Sequence, residues 1–344
     1  VIDLGAGPGV FALLAARAGA STVYAVEPDP VVGLVEELAA ANGLDGIVPV
    51  ASLSTAFTPA RTADVLISDL RGVLPTFTDH LPSIIDARER LLRPGGALIP
   101  RRDVIVAAPV SAPDARRRHL GGFRVDGLDL GPALDRACHL WARVELPVEA
   151  LAAAPAPIAT LDYAELDSPH VKGAASFTVD GRDVDGFALW FDAEIDGDER
   201  FTNAPSSPLI YGQAFFPFEA PLETRPGDLL HLRFAAHHTP GDDYLYRWRG
   251  ELERGGRRLA RCDHSTFNAT FVEASDLQKR RPDHRPELAA EARTDHWVLG
   301  RLLAGAELGA VAAELAEREP QRFADAHRAL RVVSRVADRY AVHR

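Results

Sequence analysis

The residues best suited to binding a ligand stand at the start of the chain, where a short apolar run enters a glycine-rich turn. The first nine residues read VIDLGAGPG, so that glycines occupy Gly5, Gly7 and Gly9, and a helical pattern follows at once. Glycine permits a tight bend and lets the backbone approach a ligand closely. A turn of this kind between a strand and a helix is typical of nucleotide-cofactor sites, including those of nicotinamide and flavin dinucleotides.

Two carboxylates beside this turn favour S-adenosylmethionine over a dinucleotide. Asp3 precedes the turn, where it would repel a pyrophosphate but suits a cationic amino-acid group. The glycine spacing is GxGxG, with Val10 where a dinucleotide fold has its third glycine. Glu27 ends the next strand, about 20 residues on, where a carboxylate can accept both ribose hydroxyls; the alternative is that it only caps the following helix. Leu53 and Ser54, after the third strand, are expected at the adenine edge.

Asp69 is the main candidate for contact with a substrate, because it follows the strand candidate Val65–Ser68. Open α/β sheets bind ligands at the carboxyl ends of their central strands. Asp69 there can hold a cationic amine or guanidine, touch the cofactor indirectly, or cap the turn that follows. Arg71 can pair with Asp69 or bind an anionic substrate group, and the sequence does not decide between these roles.

The elements that must position these residues alternate between strand and helix over the first hundred residues. Strands are predicted at Val1–Leu4, Thr22–Val26, Ile47–Val50, Val65–Ser68 and Ala97–Ile99. Helices are predicted at Phe11–Ala18, Pro30–Ala41 and Pro82–Leu92. This alternation is typical of βαβ units and predicts an α/β fold with a Rossmann-like, doubly wound parallel sheet.

The rest of the chain has a different pattern. Residues 111–145 are partly helical, and from about Ile158 to Phe271 short strands are separated by turn residues, which predicts an antiparallel β-barrel or sandwich. The strands are placed at Ala174–Val179, Gly186–Ile195, Gln213–Phe218, Leu229–Ala235, Tyr244–Leu252 and Thr266–Val272. Three helices are predicted at Asp295–Leu303, Leu308–Glu317 and Gln321–Tyr340. We expect three domains: residues 1–110, 111–274 and 275–344.

Composition excludes several classes of protein. The chain has 344 residues, 47% hydrophobic, and a formal net charge of −11, which disfavours nucleic-acid and anionic-membrane binding. The two cysteines, Cys138 and Cys262, fit neither a disulfide framework nor a CxxC metal site, so no metal is expected and a cytoplasmic location is the default. The sequence has no Met and opens within an apolar strand, so we expect a fragment that lacks upstream residues.

The span from Val1 to about Phe271 resembles the catalytic core of the protein arginine N-methyltransferases. The stretches that carry the resemblance are VIDLGAGPGVFALLAARAGASTVYAVEPD, DVLISDLRGVL, DARERLLRPGGALIPRR and GFALWFDAEI. The resemblance implies a class I S-adenosylmethionine-dependent methyltransferase in which a β-barrel follows the nucleotide-binding half. It also implies that residues 111–145 correspond to the family's dimerisation arm, and hence a possible homodimer.

The substrate loops depart from the family's pattern. The loop that begins with Ser-Glu in the family has Ser68-Asp69 here, and the family's second glutamate falls on Thr78, with Asp79 one residue further. The family's Thr-His-Trp loop falls on Leu209–Tyr211, so Ile210 replaces its histidine. The resemblance therefore implies Asp69 and Asp79 as the catalytic candidates, with Arg71, Tyr211 and Gln213 lining the substrate mouth.

Three functions follow from these patterns. The first is methyl transfer to a nitrogen acceptor on a protein, a peptide or a small molecule. The second is methyl transfer to a non-arginine nitrogen or oxygen acceptor, because two carboxylates gripping a guanidinium cannot form the same clamp with Asp69 and Thr78. The third is a catalytically idle scaffold that binds the cofactor.

Overall fold

A computed structural model describes residues 1–121, 124–207, 209–241, 243–271, 278–279 and 281–340. The chain divides into two compact units, Val1–Thr270 and Phe271–Arg344. The first unit contains both the parallel sheet and the antiparallel sheets. The second consists of helices, and each unit is described separately.

The parallel sheet is built from the first hundred residues, as the alternating pattern predicts. Its strands are β1 (Ile2–Leu4), β2 (Val23–Val26), β3 (Ile47–Val50), β4 (Ala63–Ser68) and β5 (Leu92–Ile99), in the order β3-β2-β1-β4-β5. Its helices are α1 (Val10–Arg17), α2 (Leu34–Ala41) and α3 (His80–Arg90). Apolar clusters cover both faces of the sheet, which is why its strands read as continuous apolar runs.

The register of this sheet aligns the ends of three strands. Leu4 at the end of β1 pairs with Val26 on one side and with Ser68 on the other. The next residues along the chain, Gly5, Glu27 and Asp69, therefore leave the sheet at the same edge. The strand order also reverses between β1 and β4, and such a switch point opens a crevice at the carboxyl ends of the strands.

Two antiparallel sheets follow, as the second half of the pattern predicts. One has the strands β6 (Arg102–Val110), β9 (Ala142–Val144), β10 (Ala156–Asp162), β12 (Val184–Asp196), β13 (Glu199–Thr202) and β14 (Gln213–Leu222). The other has β11 (Val171–Thr178), β15 (Leu229–His237), β16 (Leu245–Arg254) and β17 (Arg257–Ser265). The helices α4 (Pro113–Leu120) and α5 (Gly131–Ala137) precede β9, and a two-residue pair, β7 (Arg124–Val125) with β8 (Leu128–Asp129), lies between them.

One apolar core joins the two antiparallel sheets to helix α3. Phe187 of the first sheet and Trp248 of the second belong to the same buried cluster as Leu81 and Ile84 of α3. The parallel sheet and the antiparallel sheets are thus fixed to each other through α3. The residues that precede α3, including Asp69 and Arg71, lie between the two halves of this unit.

One strand prediction is wrong. The last strand of the second sheet is Arg257–Ser265, whereas Thr266–Ala269 forms a short 3-10 turn; Val272 lies outside the described residues. Arginines at positions 257, 258 and 261 give this segment a polar appearance. It is nevertheless a strand because its backbone pairs with β16 from Arg247 to Arg254.

The second unit contains three helices, as the spacing of apolar residues predicts. They are α6 (Ala290–Leu303), α7 (Leu308–Arg318) and α8 (Ala326–Tyr340). Val298, Leu315 and Val333 form their common core. Among the described residues, the helices are all too short or too polar to cross a lipid bilayer.

Candidate active site

The glycine turn after β1 packs tightly on one side and is open on the other. A Cβ atom at Gly5 would lie 2.2 Å from Leu70, next to Asp69, and one at Gly9 would lie 2.7 Å from Val35 of α2. At Gly7, which has a left-handed φ of 53°, a Cβ atom would meet no described atom within 4 Å. The outer glycines therefore allow close packing, whereas Gly7 presents open backbone that a ligand can approach.

Glu27 holds this turn against the end of β2. Its Oε2 accepts a hydrogen bond from the N–H of Gly7 at 3.0 Å, and its Oε1 accepts one from the N–H of Asp29 at 2.9 Å. The cap of the following 3-10 turn is Asp29, whose side chain accepts from the N–H of Val31. The alternative in which Glu27 itself caps that turn is therefore not what the structure shows. Each carboxylate oxygen keeps a second lone pair for a ligand hydroxyl.

Asp3 is a buried carboxylate without a well-formed hydrogen bond to any described residue. The residue is only 1% exposed, and both carboxylate oxygens lack a hydrogen-bond partner. Burial raises the pKa of Asp3 to about 7; the backbone of Ala12 opposes this, and the carboxylates of Asp69 and Glu27 add to it. A buried carboxylate of this kind is stabilised by a cation, which fits the ammonium group expected here.

Leu53 and Ser54 lie where the third strand ends. Leu53 is 61% exposed, and Ser54 begins a short 3-10 turn. The Ser54 carbonyl accepts a hydrogen bond from Arg90 of α3 at 2.7 Å. The turn is thus anchored to α3 while the Leu53 side chain stays free for an apolar contact. An adenine contact for these two residues stays a prediction.

Asp69 is held by one hydrogen bond and one ion pair from opposite halves of the unit. Its Oδ2 accepts from the Tyr211 hydroxyl at 2.7 Å, and its Oδ1 lies 3.2 Å from Nε of Arg71. The Asp69 side chain is still 31% exposed. The structure therefore brings together three of the predicted site residues, and it orients the carboxylate without covering it.

Arg71 continues this contact into a buried polar network that the sequence did not reveal. Its guanidinium lies 3.1 Å from Oδ1 of Asp103 and about 5 Å from the ring centres of Phe191 and Phe201. Asp103 also accepts from the hydroxyl of Tyr163. The Arg71 side chain is only 1% exposed and pairs with Asp69, which is one of its two candidate roles. Contact between Arg71 and a substrate stays a prediction.

The network ends at a neutral histidine of α3. Nε2 of His80 lies 3.1 Å from the Tyr163 hydroxyl. Burial lowers the pKa of His80 to about 3, and the positive charge of Arg71 adds to that shift. Burial also raises the pKa of Tyr163 well above its ordinary value. Burial raises the pKa of Asp103 as well, and the charge of Arg71 and the hydrogen bond from Tyr163 oppose that shift. His80 and Tyr163 therefore contribute no charge to the network.

Asp79 and Gln213 lie in other contacts. Oδ1 of Asp79 is 2.8 Å from Nε2 of His238, and the Asp79 side chain is 66% exposed. The Gln213 side chain is buried, where its amide donates to the carbonyls of Asn203 and Ala204 and accepts from the N–H of Leu146. Ile210, in place of the family's histidine, is 82% exposed. Catalysis by Asp79 and substrate contact by Gln213 stay predictions.

The known proteins that resemble this chain are methyltransferases, which agrees with the S-adenosylmethionine cofactor expected from the sequence. The family model described as ribosomal protein L11 methyltransferase (PrmA) matches residues 1–100. An arginine N(omega)-methyltransferase of Streptomyces achromogenes subsp. streptozoticus is 28% identical over 246 residues, which is 68% of this chain and 67% of the relative. A probable protein arginine N-methyltransferase 6 of Arabidopsis thaliana is 31% identical over 209 residues, 57% of this chain and 48% of the relative.

The chain is a class I S-adenosylmethionine-dependent methyltransferase that resembles the protein arginine N-methyltransferases. The expected class of enzyme and its cofactor are thereby confirmed. The chain spans between about half and two thirds of the length of these two curated relatives.

Solved structures confirm the expected fold. A Trypanosoma brucei PRMT1 enzyme-prozyme heterotetrameric complex with AdoHcy has a TM-score of 0.70 at 18% identity, covering 77% of this chain and 87% of that chain. Arabidopsis thaliana protein arginine methyltransferase 10 has a TM-score of 0.68 at 21% identity, covering 77% and 88%. At these identities the likeness establishes the fold of this methyltransferase.

The role of Glu27 is tested by Glu27→Gln, which keeps the shape of the side chain but removes its charge and one of its two acceptor oxygens. The N–H of Gly7 or of Asp29 then loses its partner, and the bonds to the ribose weaken. We expect S-adenosylhomocysteine to bind about 10- to 100-fold more weakly, as losing one or two hydrogen bonds to a charged group implies. Calorimetric titration measures this, with Glu36→Gln on the exposed face of α2 as the matched control. Equal affinity in the two variants would contradict the assignment.

The Asp3 carboxylate predicts a pH dependence of cofactor binding. A bound ammonium favours the ionised carboxylate, so the pKa of Asp3 falls on binding from about 7 in the free protein. Binding of S-adenosylhomocysteine should therefore tighten as pH rises towards 7, by at most about tenfold per pH unit, and level off above it. Dissociation constants measured from pH 5.5 upwards test this. Asp3→Asn should abolish the slope, and an unchanged slope in that variant would rule out Asp3 as its source.

Proposed function

We propose that this methyltransferase transfers the methyl group to a nitrogen acceptor on a protein, a peptide or a small molecule, and that Asp69 orients the acceptor. The observation that carries the proposal is the shared sheet edge: Gly5, Glu27 and Asp69 each follow a strand end in one line of register. A cofactor held at the first two of these residues would bring its reactive end beside the third. Asp69 combines this placement with a partly exposed carboxylate.

The residues around Asp69 support its role in positioning the acceptor. The cofactor supplies an electrophilic methyl group on a sulfonium sulfur, so the protein mainly positions the nucleophile and stabilises charge. The remaining lone pairs of the Asp69 carboxylate accept an N–H of the acceptor and stabilise the positive charge that develops on nitrogen. Tyr211 and Arg71 fix the orientation of that carboxylate from two sides.

Relatives named arginine N-methyltransferases support a guanidine as one acceptor class. A second carboxylate on the guanidinium would have to come from Asp79, because Thr78 occupies the position of the family's second glutamate. Thr78 has a left-handed φ of 41°, and Asp79 is paired with His238. For Asp79 to join the site, that pair must open and the loop must shift.

The second candidate function, methyl transfer to a non-arginine nitrogen or oxygen acceptor, is favoured by the charge on Arg71. Its guanidinium already pairs with Asp69 at 3.2 Å. A second cation bound to the same carboxylate would experience repulsion from Arg71, whereas a neutral amine or hydroxyl would not. Acid hydrolysis of a product labelled from the methyl donor distinguishes these acceptors, because only transfer to the guanidine group of arginine yields methylarginine.

A homodimer through residues 111–145 is also proposed. The described part of this segment contains α4 and α5, and several of its apolar side chains are exposed, including Leu128, Leu130 and Leu140. These exposed leucines are suited to burial against a second copy of the chain.

The catalytic prediction concerns Asp69→Asn, which keeps the size of the side chain and removes its charge. Turnover should fall about a hundredfold, as expected when one electrostatic contact to the transition state is lost. The affinity for S-adenosylhomocysteine should stay within about twofold. Asp79→Asn is the matched control, and it should reduce turnover less than Asp69→Asn does.

The assay uses labelled S-adenosylmethionine with cell extract as the source of acceptors. Full turnover in Asp69→Asn would show that the carboxylate has no part in the reaction. Cofactor binding without transfer to any acceptor by the unaltered protein would instead support the scaffold function, in which the cofactor has a structural or regulatory role.

A further inference from the structure

Outside the candidate active site, an adjacent cysteine and histidine meet a second histidine that lies 125 residues further along the chain. Cys138 and His139 follow α5, and His264 lies near the end of β17. One ligand atom from each of Cys138, His139 and His264 lies within 4.8 Å of the other two. In a tetrahedral zinc site the bonds are about 2.3 Å to sulfur and 2.0–2.1 Å to nitrogen. The three side chains would therefore need to close by an ångström or so around an ion.

The side chain of His264 lacks the partners that a buried histidine requires. The residue is only 5% exposed, and neither ring nitrogen makes a hydrogen bond to a described residue. Its ring stacks on Trp248, with ring centres 5.3 Å apart, so stacking rather than hydrogen bonding orients it. A buried polar group without a partner is costly, and a bound ion would remove that cost.

The surroundings of the three side chains favour a cation. They line a cavity of about 570 Å³ that also contains the carboxylates of Asp135 and Glu219. Cys138 donates its S–H to the Asp135 carbonyl at 3.3 Å, and both cysteines of the chain are free thiols. A cavity of this size leaves room for a fourth ligand, such as water or the Glu219 carboxylate.

We propose that Cys138, His139 and His264 form a zinc site that ties the end of α5 to β17. One thiolate with two imidazoles matches the preference of zinc for sulfur and nitrogen ligands, whereas calcium and magnesium require oxygen ligands. Binding releases the thiol proton of Cys138 to solvent, and the thiolate and the two neutral imidazoles donate electron pairs to the ion.

His139 must exchange one bond for another when the ion binds. Its Nδ1 accepts a hydrogen bond from the N–H of Ser265 at 3.1 Å, which places the ring proton on Nε2. Coordination through Nδ1 replaces that hydrogen bond, and coordination through Nε2 moves the proton to Nδ1 and breaks it. In both cases the Ser265 N–H is released, so the metal bonds must outweigh this loss.

The consequence of binding is structural. The His139–Ser265 hydrogen bond joins the segment that follows α5 to the last residue of β17. An ion shared between Cys138 and His264 would connect this segment directly to β17. Zinc should therefore raise the unfolding temperature of the protein, whether or not the protein transfers methyl groups.

The test is a titration of the metal-free protein with Co²⁺, followed by displacement with Zn²⁺. The unaltered protein should bind one equivalent of Co²⁺ with a thiolate-to-cobalt charge-transfer band, and Zn²⁺ should abolish that band. Cys138→Ser should lose the band. His264→Gln should bind Zn²⁺ at least about a hundredfold more weakly, because mutating a residue that only supports a metal ligand already lowers metal affinity by about 10- to 100-fold. Zinc should raise the unfolding temperature of the unaltered protein but not that of Cys138→Ser.

Cys262→Ser is the matched control, because Cys262 lines the same cavity but does not belong to the group of three. It should keep the charge-transfer band. Absence of the band in the unaltered protein, or its loss in Cys262→Ser together with its retention in Cys138→Ser, would overturn the proposal. Neither readout depends on methyl transfer, so the proposed function is tested separately.

Discussion

The hydrogen bond from the N–H of Gly7 to the Glu27 carboxylate is the contact on which the cofactor site depends. It joins the turn after β1 to the end of β2, so the open backbone at Gly7 and the charged oxygens of Glu27 face the same space. The parallel register supplies the second requirement, because it places Asp69 at the same edge. The proposed reaction therefore needs only short local segments, each positioned by a strand that ends in line with its neighbours.

The buried charges around Arg71 impose a second constraint. A guanidinium between Asp69 and Asp103, enclosed by two phenylalanine rings, must keep a carboxylate partner, because a buried guanidinium without any partner would be an uncompensated charge at a cost of about 3–5 kcal/mol. This pairing fixes the Asp69 carboxylate and also reduces the net charge that an acceptor meets. The same contact therefore supports the proposed role of Asp69 and favours a neutral acceptor on electrostatic grounds.

The sequence predicted what depends on local order. The glycine turn, Glu27 and Asp69 could be placed because each stands beside a strand whose apolar run is readable, and the parallel and antiparallel halves follow from the spacing of those runs. The Tyr211–Asp69 bond joins residues 142 apart, and Asp103 and Tyr163 lie in a half whose packing no local pattern specifies. The proximity of Cys138 and His264 could not be predicted for the same reason. The missed strand β17 has a different cause, since its arginines face solvent or pair with carboxylates such as Asp263 and mask a paired backbone.

A crystal structure with S-adenosylhomocysteine bound tests the central claim most directly. The account predicts ribose hydroxyls within hydrogen-bond distance of Glu27, the ammonium group near Asp3, and a sulfur atom that faces the Asp69 carboxylate. A nucleotide bound away from the turn at Gly7, or a sulfur facing away from Asp69, would contradict it.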